Sequence, residues 1–480
     1  MVFPVVGGNE SKVYDVENSL RFNNDDSPHL VFTPSSAGNR RTFTLSVWFK
    51  LSNYSTGERV IFAADDGTDS NNNFDYIAIN GNDKIFVYGY EGSENQQLIS
   101  TQVLRDNAAW YHLVVAFDTT QSTASNRIKV YLNGNQVTAF DTENYPSQNF
   151  QTRFNNNNEQ RISQYPDQDA SFFDGYMCEY NLIDGSQLAP TSFGEFNTNG
   201  VWIPKKYTGS YGTNGFFLEF KQTGTSQNSS GMGADTSGND NHFATGNLTA
   251  LDVTEDTCTN NFMTLNPISN YYQQSTFSEG NTKTVTASSP YAYDIGTIGL
   301  TQGKWYWEIK PTGSSGSNTV YILGVSGQQV TANTQQLGSG AYEWGWYAID
   351  GNIIHNGGSA SGWSNVNYTT NDIIGIAMDL DNNKIYWSKN GAFQNSGDPT
   401  SGSTGTGAVA LTDPASVPLG AYFIAVSYYD NSGQGTFECN FGNPSFSISS
   451  GNTDGKYGNF EYAPPSGYYA ICTKRLAEFG

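Results

Sequence analysis

Two segments of this chain carry the same folding instruction. Arg127–Gly134 reads RIKVYLNG and Lys384–Gly391 reads KIYWSKNG. Each alternates along its length and then runs into Asn-Gly. A period of two buries one face of a strand and leaves the other to water. Asn-Gly supplies the successive positive φ angles of a two-residue hairpin turn. Both segments therefore predict β-hairpins. Their recurrence far apart in the chain predicts two β-sandwich domains in tandem, the kind of domain that usually binds rather than catalyses.

Further strand signals surround each hairpin. Leu45, Val47 and Phe49 alternate with Thr44, Ser46 and Trp48. Tyr76–Asn80 leads into the turn Asn80-Gly81 and Lys84–Tyr90 answers it, while Tyr111–Phe117 reads as a more fully buried strand. Phe172–Ile183 closes the first set. Gly303–Ile309, Ile373–Leu380, Pro418–Val426 and Gly435–Gly442 make a second set, in which Trp305 and Trp307 read as packing. Charged residues are only 14% of the chain and hydrophobic ones 37%, with polar turn residues filling the gap, as in all-β proteins. The 30 Tyr, 29 Phe and 9 Trp offer apolar area that a disordered chain lacks.

The expected organisation is a docking arm at 1–15 with apolar Phe3, Pro4, Val5 and Val6, a sandwich at 16–192, a connector or partial module at 193–275, a second sandwich at 276–448 and a tail at 449–480. The Ser/Gly/Thr-rich loop Phe393–Gly407 reads as mobile. A formal net charge of −22 repels phosphate backbones and anionic lipid, so nucleic acid is not an expected partner. No stretch approaches the ~20 apolar residues of a membrane span. Met1–Gly8 lacks the basic start and apolar run of a secretory signal, so a soluble product folding in a cytoplasm is expected. Cys178, Cys258, Cys439 and Cys472 are scattered without a CxxC pair and read as free thiols.

The motifs LSVWFK, WYHLVVAFD, IKVYLNGNQV and FDGYMCEYNLIDGSQL, in that order, resemble the laminin-G and concanavalin A-like jelly rolls. FSEGNTKTVTAS, GKWYWEI, IIGIAMDL, the turn Asp381-Asn382-Asn383, KIYWSKNG, PLGAYFIAV and GTFECNFG resemble the SPRY family, again in family order. The pairing of the two modules is also similar to a group of tailed-bacteriophage virion proteins. MVFPVVGG, SAGNRRTFTLSVWFK, DGSQLAPTSFGEF, GVWIPKKYTGSYGTNGFFLEF, DTCTNNFMTLNP and PPSGYYAICT carry that likeness. The resemblance implies a virion location and assembly in a host cytoplasm. It implies other virion proteins and a host cell-surface glycan or receptor as partners. A tail-fibre or appendage adhesin is the leading expectation, with a capsid decoration protein as the alternative and a polysaccharide depolymerase as a minor one. A homotrimer fits such an appendage, although no sequence device enforces it.

Catalytic patterns are sparse. Retaining glycosidases need two carboxylates about 5–5.5 Å apart, which on one strand face means acidic residues two positions apart. No Glu here has an Asp two positions later, so no catalytic residues are assigned. Neither G-x-S-x-G nor H-E-x-x-H occurs. Calcium is the better chemical reading, because it takes six to eight oxygens from carboxylates, amides and carbonyls. Asp235, Asn239, Asp240 and Asn241 cluster in GMGADTSGNDNH, and Asp65, Asp66 and Asp69 form a second acidic loop. Ordinary turn chemistry accounts for the same residues. For glycan or partner binding the candidates are Tyr342, Trp344, His355, Asn356 and Trp363. Tyr342, Trp344 and Trp346 also read as one core-facing strand, which leaves Trp363 as the expected exposed aromatic.

Overall fold

The computed structural model describes residues 14–480 apart from 53–56, 67–71, 166–170, 270–274, 288–290, 316–319, 330–331, 333–334, 361–362, 364–365 and 431–432. The expected arm therefore lies almost wholly outside the described residues, as does Asp69. The fold is all-β, built as concanavalin A-like sandwiches. The described residues fall into two compact units, 14–260 and Asn261–Gly480.

In the first unit one sheet runs in the order Asn135–Gln136, Ile128–Leu132, Trp110–Asp118, Thr42–Leu51, Gly175–Asp184, Ser19–Phe22 and Val253–Thr254. Phe216–Leu218 also pairs with Gly175–Asp184. The other sheet runs Phe140–Asn144, Glu94–Val103, Lys84–Glu91, Asn73–Ile79, Arg59–Asp65, Gln160–Ile162, His29–Phe32 and Ala244–Gly246. Phe43, Leu45, Val47, Phe49 and Leu51 point between the sheets with Leu113, Val115 and Phe117, as their period of two requires. Strands at 216–218, 244–246 and 253–254 enter these sheets, so the part of the expected connector up to Asn260 belongs to the first unit.

The opposite face of the Thr42–Leu51 strand is buried as well. Thr44 Oγ1 donates to Ser186 O at 2.7 Å, Ser46 meets His112, Trp48 packs on Cys178, and Lys50 pairs with Asp256. Alternation alone predicted a wetted face here. Chain that returns after the last long strand covers it instead.

The second unit pairs Thr276–Ser278, Lys283–Val285, Gly435–Asn440, Lys304–Ser314, Ile374–Asp379, Lys384–Lys389 and Ala392–Phe393 in one sheet. The other holds Ala292–Ile295, Phe423–Tyr428, Tyr321–Ser326, Glu343–Tyr347, Ile353–His355 and Gly358–Ala360. Trp305, Trp307, Trp346 and Trp387 fill the space between them. The tail, too short for a separate core, packs on the outer face of the first of these sheets. Tyr306, Ala377 and Tyr386 meet Phe460, Tyr468, Ala470 and Cys472 there. Arg475 grips Asp454 with two bonds of 2.8 and 2.7 Å. The 393–407 loop is held too, by a short helical turn at Pro399–Thr404 that Asp398 caps.

Both defining hairpins close as their residues dictate. Asn133 and Gly134 have φ of 47° and 79°, and Asn390 and Gly391 have 48° and 81°. A side chain at Gly134 would strike the Trp202 ring, and one at Gly391 the Tyr462 ring. The Asn80-Gly81 turn differs: Asp83 takes the positive φ, 58°, and its N–H returns to Asn80 O at 2.9 Å.

Candidate functional site

The residues selected from sequence in the second unit separate into core and surface. Trp344 is 4% exposed and lies flat on the His355 ring, centroids 4.4 Å apart. Trp363, expected outside, is 6% exposed and sits edge-on to Trp346 at 5.1 Å and to Trp387 at 5.6 Å. An indole carries too much apolar area to stay wet when a neighbouring core can take it. His355 and Tyr342 are half-buried, and Asn356 is exposed. His355 Nδ1 is 2.9 Å from Glu343 O, so that nitrogen carries the proton and donates. Asn356 opens a further Asn-Gly turn (φ 51° and 71°) and donates its N–H to Gly340 O at 3.1 Å. The structure thus gathers Tyr342, Trp344, His355 and Asn356 at one corner, with Trp344 as buried support.

At the other end of the Glu343–Tyr347 strand lies a surface group that sequence reasoning missed. Tyr291 and Tyr429 stack with centroids 4.9 Å apart and planes 12° from parallel. Tyr347 meets Tyr429 edge-on at 6.3 Å. Sheet order assembles them: Ala292 lies opposite Tyr428, Tyr428 opposite Tyr321, and Ile322 opposite Tyr347. Tyr429 is 37% exposed, and Ile349, in the turn after Tyr347, is 39% exposed. A hydrogen bond with Tyr429 raises the Tyr291 phenol above its ordinary range. Exposed Asp350 adds negative charge beside Tyr347.

The Asp235 loop is spent on its own backbone. Asp235 Oδ1 accepts from Phe217 N at 2.8 Å and Ser237 N at 2.9 Å, and Oδ2 accepts from Ser237 Oγ and Asn241 N at 2.9 Å each. The amides of Asn239 and Asn241 both donate to Gly215 O, at 2.9 and 3.0 Å. Asp240 points into solvent at φ 58°. Both Asp235 oxygens are thus engaged by the loop's own donors, and calcium there stands as an expectation from sequence. Among the described residues no three His, Cys, Asp or Glu side chains gather as a metal site.

Two features of the first unit carry titratable chemistry. Ser46 Oγ lies 2.9 Å from His112 Nε2, and the Trp202 indole donates to His112 Nδ1 at 2.9 Å. Burial lowers the His112 pKa to about 3, so the ring is neutral. With Nδ1 accepting, the proton sits on Nε2 and is donated to Ser46. A serine that accepts from its histidine is not activated as a nucleophile.

The second is a cleft of about 120 Å³ lined by Tyr14, Glu179, Lys206, Glu219 and Lys221 among others. The Gly175–Asp184 strand is bulged between Cys178 and Asn181, and Glu179 takes a φ of 50° there, a costly conformation for a side chain of its kind. Tyr14 Oη donates to Glu179 Oε1 at 2.9 Å. Burial raises the Glu179 carboxyl to about 7, against a smaller lowering by the Tyr14 bond. A lone acidic residue inside the apolar run GYMCEYNLI was the available signal. Pockets for substrate-sized ligands span about 300–1,000 Å³, so this one has room for a few waters or one small polar group.

Comparison with known proteins agrees with this architecture. Residues 24–189 match the Concanavalin A-like lectin/glucanases superfamily, and residues 304–440 match the SPRY domain. The matched regions place a laminin-G/concanavalin A-like domain ahead of a SPRY domain in this chain. Among curated proteins it is similar to F-box/SPRY domain-containing protein 1 of Drosophila virilis, 29% identical over 106 residues, 20% of this chain and 41% of the relative. The Danio rerio protein of the same name is 28% identical over 106 residues, 20% of this chain and 36% of the relative. The chain thus spans about two fifths of the length of the curated relatives it matches. Among solved structures, the SPRY domain of human HERC1 is 19% identical, covering 33% of this chain and 86% of that one, TM-score 0.26. A heptameric SAP-like pentraxin of Limulus polyphemus is 16% identical, covering 37% and 80%, TM-score 0.29.

These relatives correct the virion reading. They are F-box/SPRY proteins of flies and fish, cellular rather than viral. The expected appendage adhesin, its capsid-decoration alternative and the virion location all give way.

Proposed function

We propose that this chain is a non-catalytic recognition protein whose SPRY domain takes up a cationic segment of a protein partner on the tyrosine shelf. The observation behind this reading is the Tyr291–Tyr429 stack with Tyr347 beside it. Tyr291 and Tyr429 flank the ends of two paired strands and Tyr347 ends a third, so the three rings meet where the sheet edge reaches the surface. Tyrosine offers rigid, amphipathic contact area and is enriched where proteins meet. Asp350 beside the shelf and a net charge of −22 favour Lys- or Arg-bearing partners and oppose nucleic acid and anionic lipid. The corner of Tyr342, His355 and Asn356, at the far end of the same strand, is a secondary contact in this reading.

The test is selection of a random peptide library on the immobilised full chain, repeated with Tyr291→Ser/Tyr429→Ser. Basic peptides with an apolar anchor should be enriched, and the variant should weaken their Kd at least tenfold, about 1.4 kcal/mol. Equal retention by the variant, or enrichment of acidic peptides, refutes the assignment.

A further inference from the structure

Two of the four cysteines are neighbours in space although far apart in sequence. Cys178 lies on the Gly175–Asp184 strand, and Cys258 lies in the last segment of the first unit. Their sulfurs are 3.8 Å apart, with the Cys178 thiol directed at Cys258. A disulfide needs about 2.0 Å, so closure requires a side-chain rotation and a small shift of one segment. Cys258 occupies a tight turn in which Thr257 N bonds to Asn260 O and Asn260 N returns to Thr257 O. It is half-buried, whereas Cys178 is fully enclosed. The pair is therefore asymmetric, with Cys258 nearer the surface than Cys178.

We propose that Cys178 and Cys258 form a reversible redox-modification site that closes to an intramolecular disulfide under peroxide. The Cys258 thiolate attacks one peroxide oxygen and releases hydroxide, becoming a sulfenic acid. The Cys178 sulfur then attacks the Cys258 sulfur, the S–S bond forms, and the sulfenic oxygen leaves as water. Two thiols and one hydrogen peroxide give one disulfide and two waters. Burial, with Cys178 and Glu179 close by, pushes the Cys258 thiol well above its ordinary range, so the attack starts from a small thiolate fraction and closure is slow, quickening as pH rises.

The consequence is local to the first unit. The Cys258 turn holds the N-terminal segment: Thr257 Oγ1 donates to Val16 O at 2.8 Å, and Val16 N donates to Thr259 Oγ1 at 3.1 Å. Val16, Tyr14 and Glu179 line the cleft described above. A disulfide would tie that turn covalently to the bulged strand beside Glu179 and hold the cleft's wall in place. Cys439 and Cys472 lie in different clusters of the second unit and serve as internal controls.

The experiment uses the purified full chain, treated with hydrogen peroxide, unfolded, alkylated and mapped by mass spectrometry. The wild type should lose two of its alkylatable thiols and about 2 Da, yield a Cys178–Cys258 linked peptide, and recover both thiols with dithiothreitol. Cys258→Ser should yield no linked peptide and keep Cys178 alkylatable. Since Cys258 is only half-buried, that variant is the one expected to fold. Four alkylatable thiols persisting in treated wild type, or crosslinks that exclude the Cys178–Cys258 pair, would overturn the proposal.

Discussion

Replacing either member of the Lys50–Asp256 pair tests whether returning chain pins the outer face of the first unit's sheet. Both side chains are within 1% of complete burial. Trp110 Nε1 donates to Asp256 Oδ1 at 3.2 Å, and the Tyr176 ring lies 4.7 Å from the Lys50 ammonium. Burial lowers the Lys50 pKa and the Asp256 charge works against that. Asp256→Leu strands an ammonium among aromatic faces, and Lys50→Met strands a carboxylate. Removing one partner of a buried pair costs about 3–5 kcal/mol, whereas replacing both by apolar residues is often neutral. Each single variant should thus lose about a fifth or more of a typical domain stability of about 5–15 kcal/mol. The double variant should recover most of it, a coupling of about 3 kcal/mol or more. Urea unfolding followed by tryptophan fluorescence provides the assay, with the slope m unchanged. Single effects below about 1 kcal/mol that simply add in the double would refute the reasoning.

Trp363→Ala should destabilise the second unit by about 3–5 kcal/mol in the same assay, as for other buried aromatics; an exposed residue would cost almost nothing. Glu179 should make stability depend on pH. Its folded pKa of about 7 exceeds the ordinary 4.5, so its contribution is complete below pH 4.5. As pH rises towards 7 the unfolded chain sheds a proton that the folded one keeps, and about 3 kcal/mol is lost at most. Glu179→Gln should flatten that decline in thermal melts at pH 5 and 8. Glu308 accepts from Glu461 N at 3.0 Å, Tyr462 N at 2.8 Å and Asn440 Nδ2 at 3.0 Å. Glu308→Ala leaves these donors unpaired, and limited proteolysis should release the 449–480 tail faster.

What the sequence made legible was local. Asn133-Gly134 and Asn390-Gly391 specify their turns whatever surrounds them, and the Leu45, Val47, Phe49 series points inward because its period leaves no alternative. The order of strand motifs likewise suffices for two sandwiches. Patterns of period two cannot report a second covering layer, so the burial of Ser46 and Lys50 was hidden. Trp363 misled because its Ser and Gly neighbours in sequence suggest solvent, whereas its side chain is buried in the core. Asp235 is ambiguous from sequence because a backbone-organising carboxylate and a metal-binding one use the same residue type. The tyrosine shelf was invisible for a topological reason: Tyr291, Tyr347 and Tyr429 meet only through non-local strand pairing.

The most direct test of the recognition account is hydrogen exchange on the full chain with and without a selected basic peptide. The account predicts slowed exchange in residues 291–295, 347–352 and 423–430, with the first unit unchanged. Protection confined to the first unit, or none around Tyr429, would contradict it.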